Sequence, residues 1–256
     1  MDITHAELRR DSHGVYTIDM DVFQNAIRPD TRLFMLCNPQ NPTGRIFRRD
    51  ELERMAEMCL SRNVLICADE IHSDLLFDGR SHIPIAMLGG EVANRTITLI
   101  APSKTFNLAG LQCSMAIIPN PDLRRAFQKT RRGITPWVNV MGLIATEAAY
   151  RRGNSWLLEL LAYLERNRDH LAAVIRRDFP GAVITIPEAT YLAWIDFRGT
   201  GIDNPYDFFL KHAQVALSNG DAFGIGGRGF VRLNFGCPRA MLDEGLQRMK
   251  RAFDQR

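Results

Sequence analysis

The chain has 256 residues, 46% of them hydrophobic and 24% charged, with a formal net charge of +3 at pH 7. That balance suits a globular protein of one large domain or two smaller ones. So small a charge, with no basic stripe interleaved with aromatics, gives no nucleic-acid signature, and the apolar runs are too short for a membrane span.

The polar opening Met1–His5 reads as no signal peptide. The five cysteines are odd in number, form no C-x-x-C pair and lie mostly in apolar runs. They read as small buried hydrophobes in a reducing compartment, and the cytoplasm is the expected location.

Short β-branched runs alternate with helix-period segments, the pattern of an α/β domain. Arg32–Cys37 reads as a buried strand. Asp50 is expected to cap the next helix, with Glu53 as its capping-box partner. Leu52, Met55, Ala56, Cys59 and Leu60 then share one face. Further strands are expected at 63–68, ending at Asp69, at 96–100 and at 113–118. Asn120-Pro121 opens a helix, because proline suits the first helical position. The pairs Arg131-Arg132 and Arg151-Arg152 read as solvated helix ends.

A long helix is expected from about Asn154 to Phe179, striped by Leu157, Leu160, Leu161, Leu164, Leu171 and Ile175 and stopped by Pro180-Gly181. Beyond it, residues 182–186, 191–197, 215–218 and 230–235 look like strands of a smaller sheet, with helices near 205–213 and 238–253. A domain boundary is expected at this long helix, giving domains of residues 1–155 and 156–256. The glycine-rich run 225–229 lies between β-like runs, lacks the strand-to-helix setting of a phosphate fingerprint, and reads as a turn.

Four segments carry candidate chemistry. Ala101-Pro102-Ser103-Lys104-Thr105-Phe106-Asn107 puts a lysine in a short polar turn after a strand. A lysine amine screened from water can lose its proton and attack a carbonyl, because burial disfavours the charged form. The other three are Cys37-Asn38-Pro39-Gln40-Asn41-Pro42-Thr43-Gly44, Ala68-Asp69-Glu70-Ile71-His72-Ser73-Asp74 and Val231-Arg232-Leu233-Asn234. By chemistry alone Asp69 is a strand-end carboxylate or a helix cap, and Asn41 marks a turn. An arginine inside an apolar run needs an anion, either a ligand or an internal acid.

In this order the four segments resemble the pyridoxal-phosphate-dependent class I/II aminotransferases of fold type I, and among them the cystathionine β-lyase or cysteine-S-conjugate β-lyase subgroup. The resemblance covers almost the whole chain, whose opening resembles the middle of the family's large domain. It implies a partial large α/β domain with a mostly parallel sheet, followed by a smaller C-terminal α+β domain. In the family, the segment preceding this point supplies a ring-stacking aromatic, part of the phosphate cradle and an arm that contacts the partner subunit.

The resemblance also implies roles. Lys104 becomes the catalytic lysine that holds pyridoxal 5'-phosphate covalently. Asp69 becomes the partner of the ring nitrogen, and a charge pair at about 4 Å is worth roughly 4 kcal/mol at an effective dielectric near 20. Asn41 donates to the phenolic oxygen, and His72 donates to the same oxygen or is a core histidine. Ser103 binds phosphate or makes a local turn hydrogen bond. Arg232 clamps the α-carboxylate of a small amino-acid substrate. No metal site is expected. Two positions depart from the aminotransferase subgroup: Ala101 stands where it commonly has a phosphate-binding serine, and Gln112 where it has a phosphate-binding arginine.

The expected activity is therefore a carbon–sulfur β-lyase releasing a thiol, pyruvate and ammonia. An aminotransferase is the first alternative, and a truncated, non-catalytic protein of the same fold is the second. Family members are homodimers, so a homodimer is the implied assembly; no membrane or nucleic-acid partner is expected.

Overall fold

The computed structural model describes residues 2–12 and 14–256; Met1, part of the expected first domain, and His13 lie outside the described residues. The elements begin with β1 (Leu8–Arg10), β2 (Tyr16–Ile18), α1 (Met20–Ala26), β3 (Leu33–Cys37), α2 (Arg49–Ser61) and β4 (Leu65–Asp69). Next come α3 (Gly90–Asn94), β5 (Thr96–Ile100), α4 (Pro102–Thr105), β6 (Met115–Ile117), α5 (Pro121–Arg131), α6 (Val140–Arg152) and α7 (Asn154–Asp178). The last are β7 (Val183–Thr185), β8 (Leu192–Asp196), α8 (Pro205–Phe208), β9 (Ser218–Asn219), β10 (Phe230–Asn234) and α9 (Arg239–Asp254).

These elements form two compact units. The first comprises Met1–Glu7, Ile18–Pro39 and Ile46–Glu159; the second comprises Leu8–Thr17, Gln40–Arg45 and Leu160–Arg256. The division falls inside α7, and it assigns the short segment Gln40–Arg45 to the second unit.

The first unit is built on a four-stranded sheet of order β3-β4-β5-β6. β3, β4 and β5 run parallel, and β6 closes the edge antiparallel to β5. The central strand β4 buries Ile66, Cys67 and Ala68 in succession. Such an unbroken apolar run is typical of a parallel strand covered on both faces. Parallel strands need crossovers, and α2 makes the first of them. It buries Leu52, Met55, Ala56 and Cys59, while Leu60 is half-buried.

The start of α2 corrects the expected cap. Asp50 and Glu53 do not form the box: Arg48 occupies the N-cap position and its backbone N–H donates to Glu51 Oε2 at 2.9 Å. Asp50 sits in the first turn, where a carboxylate still favours the positive end of the helix dipole. At α5 the expectation holds: Asn120 Oδ1 accepts from the backbone N–H groups of Asp122 and Leu123, and Pro121 takes the first helical position.

The second unit contains an antiparallel sheet of order β7-β8-β10-β9. Two expected elements are altered. The strand at 215–218 is only Ser218–Asn219: Gln214, left-handed at φ +54°, caps the helical turn that ends at Ala213, and residues 215–217 join no ladder. The helix at 205–213 is α8 followed by a π-helical turn over Phe209–Ala213. Phe179 packs edge-on to Phe253 at 5.1 Å between ring centroids, and Phe197 to Phe209 at 5.0 Å. Edge-to-face rings at such separations add to the burial of their area. The second half of α7 lays Leu164, Leu171 and Ile175 into this core.

Cys59 lies in the core of the first unit, where burial pushes its thiol from the usual 9.0 up to about 12. The folded state therefore holds this proton more tightly than the unfolded chain does. The stability gained is complete below pH 9.0 and is lost as pH rises toward about 12. Iodoacetamide at about pH 8 should leave Cys59 unmodified in the native protein and label it after urea unfolding, as read by peptide mass. Native-state labelling of Cys59 at the rate of the unfolded chain would contradict this burial.

Candidate active site

In the first unit the candidate residues lie just past the C-terminal ends of neighbouring parallel strands. Open α/β sheets place ligand sites there. β4 ends at Asp69, which pairs in register with Cys37 of β3 and Leu99 of β5. β5 ends at Ile100, and α4 follows at once, carrying Ser103 and Lys104. Adjacent parallel strands thus deliver Asp69 and Lys104 to the same edge of the sheet.

The loop after β4 is tightly held. The Asp69 carbonyl accepts from Asn38 N–H at 3.0 Å, and Glu70 N–H donates to the Leu99 carbonyl at 2.9 Å. The buried Glu70 carboxylate accepts from Ile85 N–H at 3.1 Å and lies 3.0 Å from His82 Nε2. Asp69 Oδ1 accepts from Ile71 N–H at 3.3 Å. The helix cap weighed for Asp69 is not what forms: residues 71–74 are a turn, which this bond closes, and a carboxylate has lone pairs left for a second partner. His72 is buried, whereas Asp69, Ser103 and Lys104 are partly exposed.

In the second unit, Arg232 stands in β10, opposite Trp194 of β8 and Ser218 of β9. Its Nη1 donates to Asn41 Oδ1 at 2.9 Å, and its Nη2 to Ser218 Oγ at 3.2 Å. Its guanidinium carbon lies 4.7 Å from the centroid of the Phe223 ring, within cation–π range. Burial lowers the Arg232 pKa, and the nearby Tyr191 opposes that shift. Among the described residues no carboxylate pairs with Arg232, so the internal ion pair weighed as its alternative role is absent from the second unit. With its Oδ1 accepting from Arg232, the Asn41 amide turns its donor group, the NH2, to other use.

The segment carrying Asn41 is shaped by a glycine requirement. Gly44 has φ +72°, and a Cβ there would stand 2.4 Å from Pro187 Cβ and 2.9 Å from Pro187 Cα. Gly44 N–H donates to the Gln40 carbonyl at 2.7 Å, and the Gly44 carbonyl accepts from Glu188 and Ala189 N–H at 2.9 Å each. Only glycine fits so close an approach in that conformation.

The structure brings Asn41 and Arg232 together in the second unit, and gathers Asp69, His72, Ser103 and Lys104 past the strand ends of the first. Sequence reasoning passed over Ser218 and Phe223, which hold Arg232, and Asp74, whose Oδ2 accepts from Thr105 Oγ1 at 3.1 Å. The signal for Asp74 was available, since it lies in the same motif as Asp69 and His72. Among the described residues no cluster of three or more histidine, cysteine or acidic side chains could hold a metal ion, and no helix is long and apolar enough to cross a membrane.

Residues 3–249 match the family model for aminotransferase class I and II. The chain belongs to that family. It is 41% identical to cystathionine beta-lyase PatB of Bacillus subtilis over 243 residues, covering 93% of this chain and 63% of that protein. It resembles the crystal structure of cystalysin from Treponema denticola, which contains pyridoxal 5'-phosphate, with a TM-score of 0.94 and 32% identity over 98% of this chain and 64% of that one. The PLP-bound C-S lyase from Staphylococcus hominis superposes with a TM-score of 0.86 and 35% identity, over 96% of this chain and 63% of that one. The chain therefore spans just under two thirds of the length of these relatives.

Replacing Gly44 by alanine forces a left-handed residue against Pro187. Gly44→Ala should lower the unfolding free energy by about 2 kcal/mol or more, read from the urea midpoint. A midpoint equal to that of the parent chain would contradict the close approach.

Proposed function

We propose that this chain works as a pyridoxal-5'-phosphate-dependent carbon–sulfur β-lyase on cystathionine or cysteine S-conjugates. In this reading residues 1–155 are the partial cofactor-binding domain and residues 156–256 the C-terminal domain; the active assembly is a homodimer in the cytoplasm. The single observation that carries the reading is Arg232. It is a half-buried guanidinium with no carboxylate partner among the described residues, hydrogen-bonded to Asn41. A buried cation so arranged is completed by an anion, and the α-carboxylate of an amino acid matches its fork of donors.

The donor set of the first unit fits the cofactor by its chemistry. Lys104 would supply the amine for the aldehyde, Asp69 the carboxylate for the ring nitrogen, His72 a donor for the phenolic oxygen, and Ser103 a hydroxyl for the phosphate. The family resemblance gives Asn41 the part of a further donor, through its NH2, to the phenolic oxygen. Bound pyridoxal phosphate supplies an electron sink for a carbanion at the substrate Cα.

The chain's own residues do the rest. Arg232 fixes the substrate carboxylate and so the direction of the Cα–H bond. Lys104, as a neutral amine, takes the Cα proton. Asp69 keeps the ring nitrogen protonated. Loss of the Cα proton with departure of the thiolate from Cβ breaks the C–S bond; the thiolate gains a proton, and water converts the remaining three-carbon fragment to pyruvate and ammonia. No external oxidant or oxo acid enters this balance.

An aminotransferase would use the same residues and return the proton to the cofactor instead. The names of the relatives and the departures at Ala101 and Gln112 favour the lyase. Cystathionine should yield pyruvate without added 2-oxo acid, and Lys104→Ala should abolish it. Arg232→Lys should retain the charge but lose the two-pronged clamp, raising KM about tenfold or more. Pyruvate formation that requires a 2-oxo acid would overturn the lyase in favour of the aminotransferase. Pyruvate formation that survives in Lys104→Ala would overturn both.

A further inference from the structure

We propose that Asp74 is a positioning residue for Lys104, acting through Thr105 to tie the lysine's turn to the loop that carries Asp69 and His72. The inference rests on the role proposed above for Lys104. It starts from a weakness in α4. This helix is a single turn, Pro102–Thr105, and Ala101 at its N-cap offers no side-chain hydrogen bond. One turn of helix does not hold its own conformation in water, so the direction of Lys104 is set by tertiary contacts.

Those contacts lie in the two residues after the lysine. Phe106 stacks on Trp156 with centroids 5.9 Å apart and meets Tyr150 edge-on at 5.8 Å. Its ring also lies so close to Gly153 that a Cβ there would stand 2.6 Å from Phe106 Cε1. These ring contacts are apolar and resist sliding poorly. The polar anchor is Thr105, fully buried, whose Oγ1 donates to Asp74 Oδ2 at 3.1 Å. A hydroxyl donating to a carboxylate is among the stronger side-chain hydrogen bonds, and its direction is specific.

Asp74 is itself well placed to act as the fixed end. It closes the loop that begins at Asp69, and that loop is held by Asn38, Leu99, Ile85 and His82 as described above. Ser73 N–H donates to the Glu70 carbonyl and Leu75 N–H to the His72 carbonyl, each at 3.0 Å. The negative charge of Asp74 is also felt by Tyr150, whose hydroxyl is pushed up to about 12, first by burial and then by Asp74 and Cys113. One carboxylate thus faces both the turn that carries Lys104 and the helix that packs on Phe106. A rigid loop, a hydrogen bond and a one-turn helix connect Asp69 to Lys104 in series.

The test uses the whole chain and the reactivity of Lys104. The sequence has four lysines, Lys104, Lys129, Lys211 and Lys250, so three internal references report any global change. Native acylation by a small N-hydroxysuccinimide ester, quantified by peptide mass without cofactor, should change at Lys104 by about fivefold in Thr105→Val, which removes the donor, and in Asp74→Ala, which removes the acceptor. The reference lysines should not change. Thr105→Ser keeps the hydroxyl and should label as the parent chain does, and the double variant Thr105→Val/Asp74→Ala should add nothing to either single change. If Thr105→Val fails to fold, Asp74→Ala on the partly exposed loop carries the test. Parent-like Lys104 labelling in Asp74→Ala, or a Thr105→Ser change as large as that of Thr105→Val, overturns the proposal. Titration of the parent chain with pyridoxal phosphate, followed by absorbance, separates the two levels: no spectral change there defeats the cofactor role of Lys104, while the labelling still decides whether Asp74 positions it.

Discussion

The parallel pairing of β4 with β5 is the constraint on which the first unit's site depends. Parallel neighbours leave a sheet at the same edge, so Asp69 and the turn carrying Lys104 emerge together although 35 residues separate them in sequence. Had β5 run antiparallel to β4, that turn would leave the opposite edge. The crossover from β4 to β5, which includes α3, is thus part of the chemistry as well as of the core. The loop after β4 is then stitched by backbone and carboxylate hydrogen bonds, which convert strand order into a fixed side-chain arrangement.

In the second unit a different device serves the same end. An antiparallel sheet sets Arg232 opposite Ser218, and the short segment Gln40–Arg45 brings Asn41 to the guanidinium. The charge is partly desolvated, stacked against Phe223 and supplied with neutral partners. Burying a cation without an anion is unfavourable, and in the proposed reading the substrate carboxylate would offset that cost. The arrangement stores a preference for an anionic ligand at a defined place.

Much of the first unit was legible because parallel strands write themselves as short apolar runs. β3, β4 and β5 were visible for that reason, although the burial expected of β3 is not met, since Leu33 and Met35 are exposed and only Leu36 is buried; the Asn120-Pro121 helix start was visible from local cap chemistry. The start of α2 was misread by two residues, because several acidic residues compete for the box and the backbone decides among them. α6 escaped notice: Val140, Met141, Leu143 and Ile144 are apolar yet more than half exposed, so the polar face that marks an amphipathic helix is missing. β9 and the π-helical turn depend on the left-handed Gln214 and on packing, which no local pattern announces. The candidate residues themselves were read from motifs. Their partners were not, since Asn41 and Arg232 lie 191 residues apart, and Asp74 and Thr105 lie 31 apart.

The central claim is that one amine, Lys104, is the covalent anchor for the cofactor. Incubation with pyridoxal phosphate, reduction with borohydride and digestion would place the added mass on a single peptide. The account predicts one phosphopyridoxyl group on the peptide containing Lys104, with Lys129, Lys211 and Lys250 unmodified. Equal modification of all four lysines, or none at Lys104, would contradict it.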